Sequence, residues 1–158
     1  MDEIVQGAYL TVAPNEIRLE LDLIAGIEVV DSILESLDRN FDQNITDAEA
    51  RAFARRVLVE GTLTLDDVSV PWTLVDVTVP PYSNLKLGSA TIKIYATVKR
   101  PDSMGARTLH YLNSYQPAKS QWTANVFLQP GGWQYQVTRQ QRSNDGRQLT
   151  VNYTINRP

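Results

Sequence analysis

An antiparallel β-sandwich, mainly β and carrying one inserted helix-loop-helix, is the architecture predicted by this chain of 158 residues. Three observations point there. Most of the sequence alternates apolar and polar residues with period two, turn-forming residues recur at short intervals, and one early block changes to a spacing of three and four.

The first clear strand is Ile17-Arg18-Leu19-Glu20-Leu21-Asp22-Leu23, in which apolar and charged residues alternate as an antiparallel strand with one wet face requires. The pattern returns in Leu63/Leu65, Val68/Val70/Trp72, Ile92/Ile94/Ala96/Val98, Thr108 to Leu112, Trp122/Ala124/Val126/Leu128, Trp133/Tyr135/Val137 and Leu149/Val151/Tyr153/Ile155. Turn signals separate these runs: Ala13-Pro14-Asn15, Asp66-Asp67, Pro80-Pro81, Pro101-Asp102, Gln129-Pro130-Gly131-Gly132 and Asn144-Asp145-Gly146. About eight short strands so punctuated predict a sandwich. The reading is a single domain over residues 1–158, with a helix-loop-helix over 27–58 inserted between an early strand pair and the rest. Pro80-Pro81-Tyr82-Ser83-Asn84 is expected to be a loop.

The inserted block is the most informative part of the chain. Ile27, Val30, Ile33, Leu34 and Leu37 recur at helical spacing, and so do Ala50, Phe53, Ala54, Val57 and Leu58. Between them lies Asp38-Arg39-Asn40-Phe41-Asp42-Gln43-Asn44-Ile45-Thr46-Asp47-Ala48-Glu49, which matches the calcium loop of an EF-hand at every ligand position. Calcium takes six to eight oxygens at roughly 2.3–2.6 Å, drawn in such a loop from positions 1, 3, 5, 7, 9 and 12. Those positions are Asp38, Asn40, Asp42, Asn44, Thr46 and Glu49. Asp38, Asn40 and Asp42 would give side-chain oxygens, Asn44 its carbonyl, Thr46 its hydroxyl or a water, and Glu49 both carboxylate oxygens. Position 8, Ile45, is apolar and would anchor the loop to the core.

One residue departs from the pattern. Position 6 is normally glycine because the chain turns there with positive φ, and Gln43 in that conformation costs on the order of 1 kcal/mol. The penalty weakens a site without removing a ligand. Thr46 and Glu49 also have the spacing of a capping box, so an ordinary polar turn before a well-capped helix is the plainer alternative. Capping accounts for Thr46 and Glu49, yet it leaves Asp38, Asn40 and Asp42 at alternate positions unexplained.

Composition narrows the remaining classes. The net charge is −3 and the basic residues are scattered, with Arg51, Arg55 and Arg56 on the expected solvent face of the second helix, so nucleic acid is not an expected partner. With no cysteine, the chain has neither a disulfide framework nor a thiol nucleophile. No apolar stretch approaches the ~20 residues of a membrane span, and no export signal is recognisable at the N-terminus, so the chain as it stands is expected to be soluble.

Other chemistry is weakly encoded. His110, the only histidine, falls opposite Leu109 and Tyr111 on its strand and reads as a surface residue instead of a catalytic base. No carboxylate spacing singles out a hydrolase pair. Trp72, Trp122, Trp133 and Tyr135 could make a sugar-stacking platform, but each is in phase with apolar neighbours and is expected to fill the core. The sequons Asn44-Ile45-Thr46 and Asn152-Tyr153-Thr154 fall in the proposed metal loop and in a strand, poor places for a glycan acceptor.

Several segments together resemble a known family. They are Gly7-Ala8-Tyr9-Leu10-Thr11-Val12, Ile17 to Leu23, the loop from Leu37 to Glu49, and Ala52-Phe53-Ala54-Arg55-Arg56-Val57-Leu58. Tyr111-Leu112-Asn113-Ser114-Tyr115-Gln116-Pro117, Thr138 to Arg142 and Leu149 to Thr154 complete the set. These resemble the extracytoplasmic, EF-hand-containing domain of bacterial membrane proteins related to the hydrogenase- and urease-accessory nickel transporters. The resemblance implies a domain on the periplasmic or outer side of a membrane, tethered by a membrane-spanning segment or partner outside this sequence. Members commonly carry a glycine-containing loop. Asn40 and Gln43 depart from it, which bears on affinity more than on the existence of a site. No nickel ligand set is visible, because an oxygen-rich loop favours hard cations.

The expectation is therefore a non-enzymatic domain in which Ca2+ stabilises the fold and docks the inserted helices. A calcium-stabilised module binding a glycan or a protein is the alternative, and a hydrolase a weaker one.

Overall fold

The computed structural model describes residues 1–101, 103–129 and 131–157. Of the expected turns, Asp102 and Pro130 lie outside the described residues. The strands are β1 (Ile4–Ala13), β2 (Glu16–Ala25), β3 (Gly61–Leu65), β4 (Val68–Val70), β5 (Thr73–Thr78), β6 (Thr91–Lys99), β7 (Gly105–Asn113), β8 (Ser120–Leu128), β9 (Gln134–Arg142) and β10 (Gln148–Asn156). The helices are α1 (Val30–Leu37), α2 (Asp47–Val59) and α3 (Tyr82–Lys86). Two five-stranded sheets result, ordered β5-β6-β2-β1-β8 and β4-β3-β7-β10-β9. All pairs are antiparallel except β1 with β8, which run parallel from Ile4 opposite Ser120 to Val12 opposite Leu128.

Alternation decides which side of each strand is dry. On β2, Ile17, Leu19, Leu21 and Leu23 are buried, while Arg18, Glu20 and Asp22 point outward. On β6, Ile92, Ile94, Ala96 and Val98 face the same interior, and from the second sheet Leu63, Leu65, Leu109, Tyr111, Leu149, Val151 and Tyr153 close it. Val30, Ile33, Leu34 and Leu37 of α1 and Phe53, Ala54, Val57 and Leu58 of α2 join this same cluster. The sequence understates the strand set. β1 was not evident from alternation because Gln6 points inward and Tyr9 outward, and β5 carries a register shift between Leu74 and Asp76 that breaks period two.

Three expectations need correction. Ile27 is neither helical nor buried: it is 59% exposed in a turn, its backbone pressed against Gly88, which has φ +85° and where a Cβ would come within 2.5 Å of the Ile27 nitrogen. The first helix begins instead at Val30. The Pro80–Asn84 stretch gives way to a short helix, α3, because Pro81 sets its N-terminal edge and Leu85 is buried beneath it. The three tryptophans are half-buried at the margins of the core instead of filling it. Trp72 meets Tyr111 edge to face, and the Arg147 guanidinium lies 4.4 Å from the Trp122 ring centroid. Trp72 follows β4 and Trp133 precedes β9, strands at opposite edges of one sheet, so the strand order sets these two apart.

Candidate metal centre

Local sequence builds the helix-loop-helix from both ends. Val30, Ile33, Leu34 and Leu37 put the apolar face of α1 into the core, and α1 ends at Asp38, whose N–H donates to the Leu34 carbonyl at 2.8 Å. Thr46 caps α2: its Oγ1 accepts from the Glu49 N–H at 3.1 Å, and Glu49 Oε1 accepts from the Thr46 N–H at 3.0 Å. Ala50, Phe53, Ala54, Val57 and Leu58 are all buried along α2. An ion pair of Lys86 with Asp31 at 2.6 Å and one of Arg51 with Asp76 at 3.6 Å tie α1 to α3 and α2 to β5. Arg51 therefore turns toward the sheet, while Arg55 and Arg56 lie on the solvent face.

The loop between the helices curls around its own carboxylates. Asp38 is only 3% exposed, and its two oxygens accept from the N–H groups of Asp42 at 3.2 Å and Gln43 at 2.8 Å. Asp42 Oδ1 accepts from the Asn44 N–H at 2.9 Å, and Asn40 Nδ2 donates to Asp42 Oδ2 at 3.1 Å. The bond from Asn44 is the main reason the Asp42 carboxyl sits below its ordinary range. Glu49 Oε2 accepts from the Arg39 N–H at 3.1 Å, which draws the far end of the loop back over its start. Gln43 has φ 60°, the left-handed turn anticipated for position 6. Phe41 has φ 58° as well, a second left-handed residue that no side-chain preference in the sequence announced.

The consequence is convergence. Asp38, Asp42 and Glu49 each bring a carboxylate oxygen into a group spanning no more than 4.8 Å. Asn40 and Thr46 are exposed and donate to Asp42 and Glu49 at 3.1 and 3.2 Å, and Ile45 packs half-buried against the core. The donor set is all oxygen and carries three negative charges, chemistry that suits a hard divalent cation and not a thiophilic one. Glu49 serves twice, since the carboxylate available to a cation also closes the cap of α2.

Among the described residues His110 does not belong to any such cluster; its Nδ1 lies 2.8 Å from Thr150 Oγ1 on the wet face of the second sheet. Sequence reasoning missed a different feature. Tyr9 and Phe127, from strands 118 positions apart, lie side by side on the outer face of the first sheet with ring centroids 6.4 Å apart. The outward phase of both residues is a usable signal, but their neighbourhood depends on the parallel pairing of β1 with β8.

Comparisons with protein-family models, with curated proteins and with solved structures return no match for this chain.

Proposed function

We propose that residues 38–49 form a calcium site of EF-hand type, that Asp38, Asn40, Asp42, Asn44, Thr46 and Glu49 hold the ion, and that its role is structural. The observation that carries this reading is the meeting of Asp38, Asp42 and Glu49 within 4.8 Å in a loop whose sixth residue takes the required positive φ. Without a cation, three carboxylates so close repel one another; with one, the repulsion becomes attraction and the ends of α1 and α2 are drawn together. Binding to the folded chain alone then adds RT ln(1 + [L]/Kd) to stability, about 1.4 kcal/mol at ten times Kd.

The strain at Gln43 and the absence of a second loop beside it in the described residues favour the weak end of the range, roughly 10⁻⁴ to 10⁻³ M, as in extracellular modules. Such a site would stay occupied in a calcium-rich compartment outside the cell, in keeping with the extracytoplasmic setting that the resemblance suggests. We read the domain as non-enzymatic.

The test is calorimetric titration with calcium chloride together with thermal unfolding in millimolar calcium and in chelator, on the wild type and Glu49→Gln. Calcium should raise the wild-type midpoint by about 3–6 °C. Glu49→Gln should lose most of that rise, and magnesium should produce much less of it. Equal wild-type midpoints in calcium and chelator would dismiss the proposal.

A further inference from the structure

The outer face of the first sheet carries chemistry that the metal loop does not use. Register places Tyr9 of β1 opposite Glu20 of β2, which in turn faces Tyr95 of β6; one row away, Thr11 stands between Phe127 of β8 and Arg18 of β2. Tyr9 and Phe127 are 36% and 53% exposed, and their ring planes lie within 24° of each other. Gly7 explains the pose of Tyr9. A Cβ at Gly7 would stand 3.3 Å from both Cε2 and the hydroxyl of Tyr9, so the ring lies back along its own strand over the glycine. Two neighbouring, nearly parallel rings are thus open to solvent in part.

A hydrogen-bonding group sits beside them. Asp22 is opposite Gly7 in the β1–β2 register, and its Oδ1 is buried with no hydrogen-bond partner among the described residues. Burial, and then the neighbouring Glu20, push the Asp22 carboxyl up to about 6. Tyr9, Phe127, Tyr95, Arg18, Glu20 and Asp22 line an open depression of about 550 Å³. A second, of about 690 Å³, shares Arg18 and Tyr95 and continues to Asp76 and Thr78 on β5. The two make a trough running across the strands.

The basic side chains of this face are paired within it: Arg18 with Glu16 at 2.7 Å, Lys99 with Glu16 at 3.0 Å and Lys93 with Glu20 at 3.7 Å. No free positive charge remains there to gather a polyanion or an anionic membrane. Two rings set among ion pairs are also too little apolar area for the core of a protein interface. What the trough offers is flat aromatic surface beside paired charges and one carboxylate, Asp22, whose Oδ1 has no hydrogen-bond partner among the described residues. A pyranose meets both needs, with its C–H face on a ring and its hydroxyls at the rim. We propose that this trough binds a neutral oligosaccharide, with sugar rings stacked on Tyr9 and Phe127 and hydroxyls bonded to Asp22, Glu20 and Arg18. The site uses no calcium ligand and stands apart from the reading of the metal loop.

The test is titration of the whole domain, in calcium and in chelator, with cellohexaose, xylohexaose, mannohexaose and chitohexaose, followed by calorimetry and by amide chemical shifts. Hexagalacturonate serves as the acidic comparison. Saturable binding of at least one neutral hexaose is expected, with shifts centred on β1, β2 and β8. Tyr9→Ala and the more exposed Phe127→Ala should each weaken it at least tenfold while keeping the wild-type unfolding profile. Four results would overturn the proposal: binding of none of the neutral sugars, binding of the acidic one alone, affinity that survives both variants, or concentration-dependent dimerisation abolished by them. Loss of the calcium response with sugar binding intact would reject only the metal reading.

Discussion

Glu16 and Asp22 lie on the same wet face of β2, and their surroundings push them in opposite directions. Glu16 accepts from Arg18 Nε at 2.7 Å, from Lys99 Nζ at 3.0 Å and from Thr97 Oγ1 at 3.1 Å, and these bonds, led by that of Arg18, hold its carboxyl down near 2. A carboxyl held low in the folded state adds stability above its ordinary value near 4.5, and this is lost as the pH falls through 2. Asp22 is raised to about 6 by burial and Glu20, so its contribution is complete below its ordinary value of 3.8 and is lost as the pH rises through 6. Two substitutions should therefore cross. Glu16→Gln should cost about 1 kcal/mol at pH 7, after allowance for solvent screening, and the difference should shrink toward pH 2. Asp22→Asn should stabilise the protein at pH 7.5 by about the same amount, again discounted for exposure, with no gain at pH 3.5. Urea unfolding of both variants from pH 2.5 to 7.5 checks this, and parallel pH profiles would refute it.

Within the helix-loop-helix, the cap of α2 and the metal loop share Thr46 and Glu49, and substitution can separate the two roles. Thr46→Ala removes the acceptor of the Glu49 N–H and should cost about 1 kcal/mol in chelator, and somewhat more in calcium because a ligand goes with the cap. Asp42→Asn keeps an oxygen for the Asn44 N–H and leaves the cap intact while removing a charge from the loop, so the rise in midpoint on adding calcium should fall. If Thr46→Ala were silent in chelator, the capping assignment would be wrong. Elements of this kind are legible in the sequence because their signals are local: a cap, a spacing of three and four, and alternating oxygens all fall within one short segment. α2 and the loop were readable for that reason, as were β2, β6 and β10. The start of α1 was not, because Ile27 continues the apolar spacing while Gly88, far along the chain, presses on its backbone. α3 was hidden behind two prolines that read as a loop until Leu85 is seen to be buried. The Tyr9–Phe127 pair was beyond reach for a related reason, since alternation tells which side a residue faces but not which strand lies next to it.

At the scale of the whole molecule, the two sheets are joined by apolar packing, by a bond from Arg142 Nε of β9 to the Ala124 carbonyl of β8 at 2.8 Å, and by a buried amide clasp. Gln6 of β1 and Asn113 of β7 come from opposite sheets and are 0% and 4% exposed. Asn113 Nδ2 donates to Gln6 Oε1 at 2.9 Å, Gln6 Nε2 donates to the Tyr115 carbonyl at 2.8 Å, and Asn113 Oδ1 accepts from the Tyr115 N–H at 3.0 Å. The clasp sits where β7 ends and the chain turns toward β8, the strand whose parallel pairing with β1 completes the first sheet. Gln6 is thus an inward polar residue that earlier interrupted the apolar pattern of β1, and its polarity has a structural purpose. Gln6→Leu would fill the space but strand the Asn113 amide in a dry interior, at a cost of about 1–3 kcal/mol. Asn113→Leu would similarly strand Gln6 Oε1 and the Tyr115 N–H. Because each single change leaves the other partner unsatisfied, the double variant should lose less than the two singles added together, with a coupling of about 1 kcal/mol. Urea midpoints of the four proteins measure that coupling directly, and strictly additive losses would show that the two amides do not act as one clasp.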